Sequence, residues 1–242
     1  MIETFVDIPT ADGAMNTFIV HPDEGGPHPV VLFLMDAPGM REELRDMSRR
    51  LASAGYYVVA SQLYYRQVRE YNVFETGDRD RMFELMSGLS NTMAVEDAKA
   101  MIAHAASDPA ADTSKVGTVG YCMSGPFTVA IAAALPGQVT AAASIHGVAL
   151  VTDRDDSPHR LVEQATAEIY IGAAETDSYA PPETVDGFEA ALEAAPCSGR
   201  VEWYPGTEHG FAFAERPLYD KASSERHWQR LHDLFRRNLH NT

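Results

Sequence analysis

The 242-residue chain contains only two cysteines, Cys122 and Cys197. Two thiols cannot build a disulfide framework, and the repeated Cys/His spacing of a zinc site is missing, so at least one cysteine calls for another explanation. Basic residues are also scarce: 19 Lys and Arg stand against 35 Asp and Glu, for a formal net charge of −16. Nucleic acids and anionic membranes are bound by Lys and Arg neutralising phosphate, so neither is an expected partner. No apolar run approaches the roughly 18–20 residues that cross a bilayer. Met1-Ile2-Glu3-Thr4 opens without the basic and then apolar stretch of a signal peptide, and the expected compartment is the cytoplasm. Repeats, low-complexity tracts and a Pro/Gly/Ser-rich linker are absent as well, which argues for one domain over residues 1–242. Without H-E-x-x-H, a P-loop or G-x-G-x-x-G, no metal or nucleotide cofactor is expected.

What is present is a globular composition, 45% hydrophobic and 22% charged, which excludes a disordered chain and suffices for a full core. Val30–Met35, Tyr57–Ala60, Val116–Tyr121, Ala141–Ile145 and Ile169–Gly172 are short apolar runs of the kind that a parallel sheet buries on both faces. Between them, Leu44/Met47/Leu51, Met93/Ala94/Ala98/Ile102 and Val185/Phe188/Leu192 repeat at helical spacing, and Trp228/Leu231/Phe235/Leu239 do so on a last helix. Alternating strands and helices predict an α/β fold with a doubly wound, mostly parallel sheet and helices on both faces. The β-rich stretches around Asp12-Gly13 predict an antiparallel hairpin before it. Ligands of such sheets bind beyond the carboxyl ends of the strands. The polar, non-periodic stretch Arg66–Asp78 reads as a loop over that edge.

The chemistry concentrates at Gly120-Tyr121-Cys122-Met123-Ser124-Gly125, where a buried strand runs into a helix of small residues. A nucleophile on a strand-turn-helix elbow needs small residues two positions to either side, and Gly120 and Ser124 meet that need. The elbow exposes the sulfur and sets it at a helix N-terminus, which favours the reactive thiolate, while the Met123 N–H faces a developing oxyanion. A buried structural cysteine, or Ser124 as the nucleophile, are the competing readings. A base and an orienting acid are required in the chain order nucleophile, acid, base. Asp177 follows the strand 167–172 and His209 follows the strand 201–204, each where a partner must lie. Glu175 competes as the acid, helix capping competes for Asp177, and a plain loop histidine competes for His209. His146 also follows a strand and is expected to line the same edge. The other seven histidines, including His227, His232 and His240, read as surface residues.

With those residues in hand, the chain resembles the dienelactone hydrolase family of the α/β-hydrolase fold over nearly its whole length. The resemblance rests on Gly120–Gly125, Asp177 with Pro181, Pro205-Gly-Thr-Glu-His209-Gly-Phe211, Asp36-Ala37-Pro38-Gly39 and Leu63-Tyr64-Tyr65-Arg66. It implies that a Cys122–Asp177–His209 triad opens a lactone or ester through an acyl-thiol intermediate, as a monomer without cofactor. It also implies that the N–H of Ala37 is the second oxyanion donor and that Asp36, where the family has Glu, modulates the resting thiol. Family members that act on dienelactone clamp a substrate carboxylate with two arginines. Arg79 matches one, but Phe213 stands where the other is expected, four residues after the histidine, and Phe83 replaces a tyrosine. Tyr64, Phe211, Phe213 and His146 are carried with Arg79 and Phe83 as substrate-binding candidates. Phenyl rings cannot replace a bidentate cation, so a less anionic lactone or ester is expected. A general esterase of the same fold, a non-catalytic ligand-binding or sensor relative, and a redox-sensing thiol are the other readings.

Overall fold

The computed structural model describes residues 1–240; positions 241 and 242 of the expected domain lie outside the described residues. In chain order the elements are β1 (Ile2–Thr10), β2 (Gly13–His21), β3 (His28–Leu34), α1 (Glu42–Ser53), β4 (Tyr57–Ser61), α2 (Val73–Thr76), α3 (Arg79–Ser87), α4 (Asn91–Ala105) and β5 (Ala111–Tyr121), followed by α5 (Gly125–Ala134), β6 (Val139–Ile145), α6 (Pro158–Leu161), β7 (Glu168–Thr176), α7 (Pro182–Ala194), β8 (Gly199–Glu208) and α8 (Lys221–Leu239). The strands form one sheet in the order β1-β2-β4-β3-β5-β6-β7-β8. β1 and β2 make the expected hairpin, with Thr10 opposite Gly13, and β2 pairs antiparallel with β4; every other pairing is parallel.

The apolar runs predicted as strands are the central strands, and every residue of β3 and β4 is buried. Burial on both faces follows from helices on both sides. Arg50 of α1 pairs with Glu225 of α8 at 2.6 Å, tying these two helices together over one face. A Cβ at Gly117 of β5 would come within 2.8 Å of Phe235 of α8. A Cβ at Gly120, three residues on and so on the opposite face, would meet Thr128 of α5. Among the described residues no helix is long and apolar enough to cross a membrane.

The stretch read as a loop over the edge, 66–78, contains the single turn α2 and leads into α3. Both start at side-chain caps: Asn72 accepts from the Phe74 N–H at 3.0 Å, and Asp78 from the Arg81 N–H at 2.9 Å. The surface reading of the remaining histidines is corrected at His21, His28 and His227, which are buried. His227 lies four residues before Leu231 and so shares the buried stripe of α8. Burial lowers its pKa to about 3, which keeps its ring neutral against Tyr121.

Candidate active site

The carboxyl ends of β3, β5, β7 and β8 bring Asp36, Cys122, Asp177 and His209 to one sheet edge. Cys122 opens a 3-10 turn between β5 and α5 with a left-handed backbone, φ +53°. Non-glycine residues rarely adopt that conformation, and it lifts the side chain out of the strand plane. The small flanking residues are required sterically. A Cβ at Gly120 would fall 2.4 Å from the Ser124 carbonyl oxygen, and one at Gly125 would fall 2.4 Å from the Cα of Gly147. Ser124 is fully buried, accepts the Tyr121 N–H at 3.0 Å and has its hydroxyl 3.0 Å from the Leu34 carbonyl oxygen. It ties the elbow to β3, whereas Cys122 lines the cavity above. Pro126 lies in the first turn of α5, where its missing N–H has no intrahelical acceptor to satisfy.

Asp177 is buried at the end of β7. Its Oδ1 accepts the N–H groups of Tyr179 at 2.9 Å and Ala180 at 3.1 Å, and its Oδ2 lies 2.6 Å from His209 Nδ1. The residue at the N-terminus of α7 is Pro181, so Asp177 builds the preceding turn and does not cap that helix. Glu175, the competing acid, is exposed and accepts the Gly206 N–H at 2.8 Å, which braces the strand before the histidine.

His209 is partly buried, which disfavours its cation, but the hydrogen bonds and charges of Asp177 and Cys122 outweigh burial and raise its pKa to about 10. A carboxylate held against an imidazole in this way favours the imidazolium form. The folded-state pKa lies above the unfolded value near 6.5, so the stabilisation is complete below about pH 6.5 and is lost as pH rises through about 10. In nitrogen-15 NMR, His209 should remain doubly protonated at pH 8 and titrate near pH 10, while Asp177→Asn should lower the midpoint by more than about one unit. A wild-type midpoint near 6.5 would contradict the arrangement.

Asp36 and Ala37 line the cavity beside Cys122. Both Asp36 oxygens are engaged by guanidinium groups: Arg41 contacts Oδ1 at 2.5 Å and Oδ2 at 3.3 Å, and Arg216 contacts Oδ2 at 2.7 Å. Arg41 also holds Glu43 at 2.7 Å, and Glu43 accepts the Glu215 N–H at 2.8 Å. Among the described residues no hydrogen bond joins Asp36 to the Cys122 sulfur. Its shorter side chain is directed instead into a buried ion network that fastens loop 36–43 to segment 213–216. Tyr64, expected at the substrate, is fully buried; its hydroxyl donates to the Ala37 carbonyl at 2.8 Å and lies 3.2 Å from the Met123 sulfur. It therefore buttresses the two segments that carry the Ala37 and Met123 N–H groups.

The cavity has a volume of about 770 Å³. Of the six substrate-binding candidates, Arg79, Phe83 and Phe213 line it. Phe211 does not: it is fully buried and stacks on Tyr204 at 4.8 Å between ring centres. His146 also lies behind the wall, at φ +38°, with its ring packed edge-on against His209 at 4.8 Å and neither ring nitrogen hydrogen-bonded. Burial first, then the nearby cations, hold its pKa well below the usual histidine range, so it is a neutral packing surface. The expectation of one pocket arginine is corrected too. Arg216, seven residues after His209, lines the cavity and lies over the Phe213 ring at 5.1 Å. Counting four residues from the histidine finds Phe213 and misses the arginine stacked upon it. Arg41, Phe74, Met82, Met86 and Tyr179 were also missed; of these only Met82 and Met86, following Arg79 at helical spacing, left a sequence signal. Among the described residues no group of three His, Cys, Asp or Glu side chains is arranged to hold a metal ion.

Residues 15–239 match the model of the Dienelactone hydrolase family. A Methylorubrum extorquens protein named "Putative carboxymethylenebutenolidase" is 31% identical over 96% of this chain and 79% of its own length. A "Carboxymethylenebutenolidase" of Rhodococcus opacus is 27% identical over 90% of this chain and 84% of its own. The crystal structure of a "Putative Dienelactone Hydrolase" from Klebsiella pneumoniae subsp. pneumoniae superposes with a TM-score of 0.88 at 28% identity, covering 97% of this chain and 98% of that one.

Proposed function

The chain belongs to the dienelactone hydrolase family, with the α/β-hydrolase fold and the ester- or lactone-hydrolysing chemistry of that family, and on this premise we propose a Cys122–His209–Asp177 mechanism. The observation that carries it is the 2.6 Å contact between Asp177 and His209, with His209 and Cys122 in the wall of one cavity. The Cys122 thiolate attacks the carbonyl carbon, forming an S–C bond, and the oxyanion is met by the N–H groups of Ala37 and Met123. The C–O bond to the alcohol breaks as the His209 imidazolium gives its proton to the leaving oxygen. In a lactone that oxygen stays attached to the acyl chain. His209, now neutral, takes a proton from water, whose oxygen displaces the thiolate and frees the acid. Asp177 fixes the imidazole orientation throughout.

In this reading Tyr64 and the Asp36–Arg41 pair hold the oxyanion loop in place. Arg79 makes no ion pair among the described residues, and Arg216 is shared with Asp36, so one free guanidinium faces the substrate. A neutral or singly charged substrate fits that balance better than one needing two free arginines. The reading extends to one domain over residues 1–242, acting as a cytoplasmic monomer on small molecules. One continuous sheet supports the single domain, and a net charge of −16 supports small molecules over nucleic acid as partners.

The test is to quench a reaction with p-nitrophenyl acetate in acid during turnover and map the acyl group by mass spectrometry. The adduct should reside on the peptide containing Cys122, and prior alkylation by iodoacetamide should stop turnover. Unimpaired turnover by the fully alkylated protein would refute the thiol mechanism. Dienelactone disappearance, followed by ultraviolet absorbance in parallel, tells whether Arg79 suffices for the anionic family substrate.

A further inference from the structure

The cavity is lined by two kinds of side chain. Cys122, His209, Asp36, Arg79 and Arg216 are its reacting and charged groups, while Met82, Phe83 and Met86 of α3 give it an apolar wall. Arg79, Met82, Phe83 and Met86 recur at i, i+3, i+4 and i+7, so α3 presents one stripe to the cavity. The mouth is unusual in a second respect. Seven large hydrophobic side chains are exposed among the described residues, and three of them, Phe74 (59%), Phe83 (42%) and Tyr179 (55%), line this cavity. Apolar side chains gathered at one exposed place mark a surface that a ligand covers. A volume of about 770 Å³ also lies in the range that holds a drug-sized molecule, and a compact lactone ring at Cys122 leaves the α3 face uncovered.

We propose that the substrate is a bulky ester or lactone whose uncharged apolar group, aryl or medium-chain alkyl, lies along the α3 face, and that Phe83 with Met82 and Met86 selects for it. This rests on the ester-hydrolysis reading above and adds the substrate class. The rest of the substrate, carrying the carbonyl, lies at Cys122.

The experiment measures kcat/KM without detergent for p-nitrophenyl acetate, butyrate and octanoate, and for methyl and benzyl acetate, whose leaving alcohols are of similar acidity, in wild type and in Phe83→Ala and Met86→Ala. In at least one series kcat/KM should rise at least tenfold toward the larger group, about 1.4 kcal/mol, and both variants should flatten the rise. A flat or falling trend in both series, with the small esters still turned over, overturns the proposal and leaves the hydrolase reading standing. A rise confined to concentrations above the ester's solubility limit also overturns it, assigning the aromatic rim to an aggregate surface. Absence of turnover for every ester, together with no acylation of Cys122, removes the hydrolase reading and the proposal with it. Circular dichroism of both variants separates misfolding from lost selectivity.

Discussion

Cys122→Ala is expected to lower kcat/KM by on the order of 10⁴-fold or more, the loss typical of removing a triad nucleophile, while leaving the fold intact. The side chain is partly exposed at the cavity wall, so its removal opens no core void. Cys122→Gly should be equally inactive yet more stable than Cys122→Ala by about 1 kcal/mol, because glycine adopts a positive φ without the steric cost that a Cβ incurs there. Kinetics with a good ester and urea unfolding of the two variants measure both halves. Retained turnover in Cys122→Ala would sink the nucleophile assignment. Equal stability of the two variants would show that the elbow holds no backbone strain at that residue.

The second large effect is expected at Arg41→Ala. The Arg41 side chain is 3% exposed and lies between Asp36 and Glu43, which are 1% and 5% exposed. Removing it leaves two buried carboxylates facing each other, with Arg216 alone to offset Asp36. Breaking a buried ion pair from one side costs about 3–5 kcal/mol, or a fall in Tm of about 10 °C in a chain of this size. The same change loosens the loop that carries Ala37, so kcat should fall as well. Asp36→Asn should be milder, because Arg41 keeps Glu43 and Arg216 is partly open to solvent. Calorimetry on both variants decides the matter: a Tm loss in Arg41→Ala no larger than in Asp36→Asn would mean that the network contributes little.

Much of the fold and the triad was legible because the signals are local. Buried strands write continuous apolar runs, helix faces write i, i+3, i+4 spacing, and an elbow writes Gly120, Cys122 and Ser124 within five residues. Asp177 and His209 could be located because each follows such a strand directly. The choice between Asp177 and Glu175 needed the structure, since residues two apart on a regular strand share a face and only the contacts show that the Asp177 carboxylate reaches His209 while Glu175 accepts the Gly206 N–H.

The sequence alone thus determined the sheet, its hairpin, the order of the three triad candidates and the acidic balance that disfavours nucleic acid. Tertiary structure alone decided what surrounds them. The Arg216–Asp36 pair joins residues 180 positions apart, and Tyr64 meets Met123 across 59. Contacts between segments so distant leave no period in the chain, and whether Phe83 faces a cavity while Phe211 and His146 lie behind its wall depends on packing against elements that the local sequence does not encode.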